Sequence, residues 1–75
     1  MTRMEAWPPP DWTEIVITWN TMLNHADHNP NAITEWCYRY PGYGHWHLHG
    51  YKSTDGFAFR FEDARDATAF GLYWL

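Results

Sequence analysis

Two short stretches, His45-Trp46-His47-Leu48-His49 and Phe57-Ala58-Phe59-Arg60-Phe61-Glu62, alternate in character at every second position. Successive side chains of a strand point to opposite faces, so a period of two marks one buried face and one wet face. The intervening segment includes Lys-Ser-Thr-Asp-Gly, with Asp55-Gly56 as turn residues. The pattern predicts an antiparallel hairpin with Leu48 opposite Phe59 and Trp46 opposite Phe61. On the other face, the same register sets His49 against Ala58, His47 against Arg60 and His45 against Glu62. Every apolar position then meets an apolar one.

A two-stranded sheet is weak alone, so helices must complete it. Asp11 and Glu14 have the spacing of a capping box. Trp12, Ile15, Val16, Trp19, Met22, Leu23 and Ala26 follow at helical spacing, which predicts a helix over 11–26. The β-branched run Ile15-Val16-Ile17 favours a strand instead, but alternation fits about seven residues and the helical stripe about fifteen. Asn29 can cap a second helix with Pro30 at its first position. Ile33, Trp36, Cys37 and Tyr40 share its face, and Pro41-Gly42 stop it. A strand over 35–40 is the alternative there. Asp63 caps a last helix that carries Ala64, Ala67, Phe70, Gly71 and Trp74 on one face. The expected fold is α+β, a small antiparallel hairpin sheet packed against two or three helices in the order α-α-β-β-α. It forms one domain over 11–75. Residues 1–10, with Pro8 to Pro10 favouring polyproline II, are expected as a flexible lead-in.

A chain of 75 residues buries only roughly 60% of its unfolded surface. This one compensates with six Trp, five Tyr and four Phe, each large ring burying on the order of 150–250 Å². So small a core cannot hide them all, and exposed Trp and Tyr are residues that anchor interfaces. The formal charge is −4, and the five basic residues (Arg3, Arg39, Lys52, Arg60, Arg65) are scattered. Nucleic-acid affinity comes largely from neutralising phosphates, so nucleic acid is not the expected partner. Cys37 is the single cysteine, which forbids an internal disulfide and fits a reducing cytosol. No signal-peptide h-region is present, and no apolar run approaches the ~20 residues that span a bilayer. The expectation is a soluble, cytoplasmic protein with no membrane partner.

The pattern Gly56-Phe57-x-Phe59-x-Phe61, then Asp66-Ala67-x-x-Phe70-x-Leu72-x-Trp74, resembles the tail of small uncharacterised proteins of tailed bacteriophages. The likeness covers the last ~20 residues and rests on fold-building positions. It implies a phage origin and a strand-to-helix unit, and with them the cytoplasm of a host cell as the setting. It implies no catalytic residues.

His45, His47 and His49 are the candidate metal ligands. Alternate residues on one strand lie about 6–7 Å apart, so two imidazoles can share an ion. Zinc needs three or four ligands at about 2.0–2.3 Å. A further donor must come from elsewhere, with Glu62, His25 and His28 as candidates. The alternative is a half-exposed polar face with His45 balancing Glu62. Cys37 sits on an apolar face and is expected to be buried and inert. Glu62, Asp63 and Asp66 suit the positive end of a helix dipole without any acid–base role. No phosphate loop, zinc-finger spacing or hydrolase elbow is present, so no enzyme is expected. Two segments look like binding surface. Trp7 leads the prolines with no obvious core to join, and Tyr38-Arg39-Tyr40-Pro41-Gly42-Tyr43-Gly44 has the composition of interface hot spots. Trp7, Tyr38, Arg39, Tyr40 and Tyr43 are therefore the candidate partner-binding residues. The leading expectation is a protein–protein interaction module that modulates or inhibits a host protein complex. Alternatives are a zinc protein using the histidine strand, or an assembly subunit that forms a homo-oligomer.

Overall fold

The computed structural model describes residues 1–25, 30–50 and 56–75. Ala26, His28, the expected cap at Asn29 and residues 52–55 of the expected turn lie outside them. The described elements are β1 (Thr2–Arg3), β2 (Thr13–Thr18), α1 (Trp19–His25), α2 (Pro30–Arg39), β3 (His45–Gly50), β4 (Gly56–Phe61) and α3 (Ala64–Trp74). The strands form one mixed sheet in the order β1-β3-β4-β2, with β1 parallel to β3 and the other neighbours antiparallel. The fold is α+β, and α2, β3, β4 and α3 follow in the expected order. The β3–β4 register is the predicted one, with Trp46 on Phe61, His47 on Arg60, Leu48 on Phe59 and His49 on Ala58. Residues 30–39 are helix, and the strand alternative there falls away.

The helix predicted over 11–26 is corrected: it is a strand followed by a short helix. Thr13, Ile15 and Ile17 pair with Phe61, Phe59 and Phe57, so the β-branched residues add their stems to the ring-bearing face of β4. Local spacing favoured a helix, but tertiary pairing decided the outcome. β4 gains a second neighbour, and the sheet reaches four strands rather than two. The Asp11–Glu14 capping box does not form, because Glu14 turns outward and accepts from Arg60 Nε across the strand pair at 2.9 Å. The helix start is at Thr18, whose hydroxyl accepts from Thr21 N at 3.2 Å. Met22 stays in the core, and Trp19 moves outside it, edge-on to Phe57 at 5.2 Å.

Residues 1–10 carry β1 at one sheet edge, and Thr13 opens β2 at the other. The chain between therefore crosses the sheet, and its contacts place it on the face away from the helices. Met4 O is hydrogen-bonded to His47 Nδ1 at 2.8 Å, and the Trp7 ring stands edge-on to His47 and His49. Pro8 and Trp12 are buried along this crossing.

The helices cover the other face. Trp46, Phe59, Phe61 and Phe70 are buried there with Ile17, Ile33, Cys37, Ala67 and Trp74. Phe70 lies 4.9 Å from both Phe59 and Phe61. Asp63 caps α3 as predicted, its carboxylate accepting from Arg65 N. Gly56 opens β4 with φ +135°, and a Cβ there would stand 1.9 Å from the Ile17 carbonyl oxygen. Only glycine fits this strand start.

Truncating Phe70 to Ala removes the ring that joins helix to sheet. It should cost roughly 3–5 kcal/mol, a large part of a small domain's roughly 5–15 kcal/mol. Urea unfolding followed by Trp fluorescence would read this as a sharply lowered midpoint.

Candidate partner-binding surface

The tyrosine loop after α2 is fixed from below by one carboxylate. Asp66, in the first turn of α3, is fully buried. Its oxygens accept from Tyr43 N and Gly44 N, each at 3.0 Å. A carboxylate can be buried only when such donors replace its water. The glycines make this approach feasible. A Cβ at Gly42 would fall 2.7 Å from Asp66 Oδ1, and one at Gly44 would fall 2.7 Å from Glu62 Oε1. Tyr43 is thereby held outward at 66% exposure, with the Arg65 guanidinium 3.6 Å over its ring. Arg65 also binds Asp63 through two side-chain bonds, which push the Asp63 carboxyl down to about 2. The hydrogen bonds of Glu62 with His45 likewise hold its carboxyl below the usual carboxylate range.

A groove of about 340 Å³ lies between α2 and α3, lined by Ala32, Glu35, Trp36, Arg39, Tyr73 and Trp74. Trp36 forms the centre of its floor. It stacks on Tyr40 at 4.7 Å and 13°, on Tyr73 at 5.6 Å and 28°, and meets Phe70 edge-on at 5.8 Å. The three stacked rings run from the end of α2 to the end of α3 and remain partly open to solvent. Arg39 and Glu35 form an exposed i,i+4 pair at the rim. Such a pair contributes only about 0.3–0.5 kcal/mol to stability, so both charges are available to a partner at little cost.

Of the predicted contact residues, Arg39 and Tyr40 belong to this surface, and Tyr43 stands by the loop at the base of α3. Tyr38 lies on the opposite flank of α2, edge-on to Trp46 at 5.2 Å. Trp7 is elsewhere, on the outer sheet face, 65% exposed and with the Arg60 guanidinium 5.6 Å from its ring. In the sequence, Trp36 reads only as part of the apolar face of α2, and Tyr73 falls outside the face shared by Ala67, Phe70 and Trp74. Tyr73 and Trp74 are neighbours about 100° apart on a helix, so both cannot enter one core face, and that was the available signal.

His45, His47 and His49 share the outer face, as the register required. His45 is held by Glu62 at 3.1 Å, His47 by Met4 O, and Trp7 packs over His47 and His49. Among the described residues, no group of three His, Cys, Asp or Glu side chains is arranged to hold a metal ion. Cys37 is buried, and burial pushes its thiol up to about 12, so the nucleophilic thiolate does not form near neutral pH. Among the described residues, no helix is long and apolar enough to cross a membrane.

Comparison with protein-family models, curated proteins and solved structures gave no match.

Replacing Asp66 by Ala strands the N–H groups of Tyr43 and Gly44. It should destabilise the fold by roughly 2–4 kcal/mol. Hydrogen exchange should rise at Tyr43 and Gly44 before it rises in β4.

Proposed function

We propose that this chain works by binding another protein through the groove between α2 and α3. The observation that carries the reading is the stacked series Tyr40–Trp36–Tyr73 beside a concave surface, with Arg39 and Glu35 at its rim. Trp, Tyr and Arg supply most interface hot spots, because rings bring large area at low entropic cost and Arg adds directed donors. The stacking matters as much as the composition. Trp36 is held by contacts with Tyr40, Tyr73 and Phe70, so little side-chain freedom is lost when a partner covers it. The partner chemistry this suits is an apolar side chain set on Trp36 and Tyr73, with an acidic group reaching Arg39. Tyr43 on Arg65 extends the surface towards the loop. The tail's likeness to small phage proteins makes a bacterial host protein the first partner class to test, with modulation of a host complex as the outcome.

The test is capture from bacterial lysate by the tagged chain, read by mass spectrometry and repeated with variants. Tyr73→Ala and Arg39→Glu should each weaken capture of the same protein by about ten-fold or more. Their far-UV spectra should match the parent. Leu72→Ala, on the far side of α3 and strongly exposed, should bind as the parent does. Capture that is unchanged in both groove variants would refute the assignment.

A further inference from the structure

We propose that the outer edge of β2 pairs with the same strand of a second copy, antiparallel about a two-fold axis at Val16. This goes beyond the groove reading and uses a different part of the molecule.

β2 closes the strand order β1-β3-β4-β2 and bonds to β4 on one side. Which of its groups face outward follows from hydrogen bonds further across the sheet. Met4 N donates to Trp46 O, so Trp46 bonds towards β1, whereas His45 O accepts from Glu62 N on the β4 side. Direction alternates along each strand, so His47 and His49 bond to Arg60 and Ala58. Phe57, Phe59 and Phe61 must then bond to Ile17, Ile15 and Thr13. The backbone groups of Glu14, Val16 and Thr18 therefore point away from β4. No backbone group among the described residues reaches Val16 from that side.

Sheet edges are usually guarded by Lys, Pro, a bulge or brevity. The opposite edge is guarded in this way: β1 has two residues, and the chain then leaves across the sheet. Among the described residues, β2 has none of these guards. Thr13-Glu14-Ile15-Val16-Ile17-Thr18 contains no Lys or Pro and pairs with β4 without interruption. Its one charge, Glu14, is engaged by Arg60 of its own sheet.

The strand also complements itself. Turned about Val16, it sets Val16 opposite Val16, Ile15 opposite Ile17 and Glu14 opposite Thr18. Inward side chains meet inward ones, outward meet outward, and no like charges oppose. A slip by one residue would set Ile15 against Val16 and mix the two faces. A register about Ile15 keeps the faces but leaves Thr18 without a counterpart. Exposed apolar groups continue the edge at both levels. Val16 is 36% exposed, and Trp19, at the end of the strand, is 42% exposed. On α3, Gly71 lies against Ile15, and Leu75 is one turn further on the same flank, 68% exposed. The groove lies on the other flank of α3, that of Tyr73, so a dimer joined at β2 would present two free grooves.

Sedimentation equilibrium on the full chain should give twice the mass of 9.0 kDa. Val16→Lys places two ammonium groups across the axis and should return the mass to that of one chain, with an unchanged far-UV spectrum. If that variant fails to fold, Val16→Cys provides the test. Hydrogen-bonded antiparallel partners have Cα atoms about 5.5 Å apart, within disulfide reach. Oxidation should therefore link Val16→Cys chains in pairs, while the parent, with Cys37 buried, should not link. A single-chain mass at millimolar concentration would overturn the proposal. So would a dimer that survives Val16→Lys and yields no Val16→Cys cross-link, or an open-ended polymer.

Discussion

Phe70 lies 4.9 Å from Phe59, 4.9 Å from Phe61 and 5.8 Å from Trp36, so one ring joins the central strand to both α2 and α3. In a chain this short, there is little apolar area elsewhere to compensate for its loss. The rest of the architecture can be traced outward from that contact. Phe59 and Phe61 hold their places because β4 is paired on both sides. α3 holds its place because Ala67, Phe70 and Trp74 enter the core from one face. Trp36 is fixed on its inner side by Phe70 and stacks with Tyr40 and Tyr73, which makes the edge of the core continuous with the groove floor.

The two faces of the sheet are built by different means. The helix side is a packed aromatic core. The outer side carries His47, Ala58, Arg60 and Glu14 and is crossed by residues 4–12, with Trp7 laid over the histidines and near Arg60. Trp7 thus has a structural seat although it stays largely exposed. The polar contacts also differ in weight. Arg39–Glu35 and Arg65–Asp63 sit in solvent and contribute little to stability. Asp66 is buried and satisfied by two backbone donors, so it determines where the tyrosine loop can lie.

The hairpin was legible because period two is a property of a strand itself, and a pair of such strands has one register that matches ring to ring. α3 was legible from Asp63 and the spacing of Ala67, Phe70 and Trp74. β2 was not. Trp12, Trp19 and Met22 do have helical spacing with Ile15, and only pairing with Phe57, Phe59 and Phe61 overrides it. That pairing spans some forty residues of sequence, beyond the reach of local periodicity. The candidate surface was half legible for the same reason. Arg39, Tyr40 and Tyr43 stand out by composition, whereas Trp36 and Tyr73 acquire their role from how two helices lie side by side. Tyr38 and Trp7 share that composition but were carried to other surfaces.

The six tryptophans allow the central claim, that the α2/α3 groove is the binding surface, to be read in a single experiment. Indole N–H signals of the isotope-labelled chain would be recorded before and after adding a protein captured from bacterial lysate. A partner seated in the groove should shift or broaden the Trp36 and Trp74 signals while those of Trp7, Trp12 and Trp19 stay in place. Movement of Trp7 or Trp19 with Trp36 unchanged would contradict it and place the contact on the sheet.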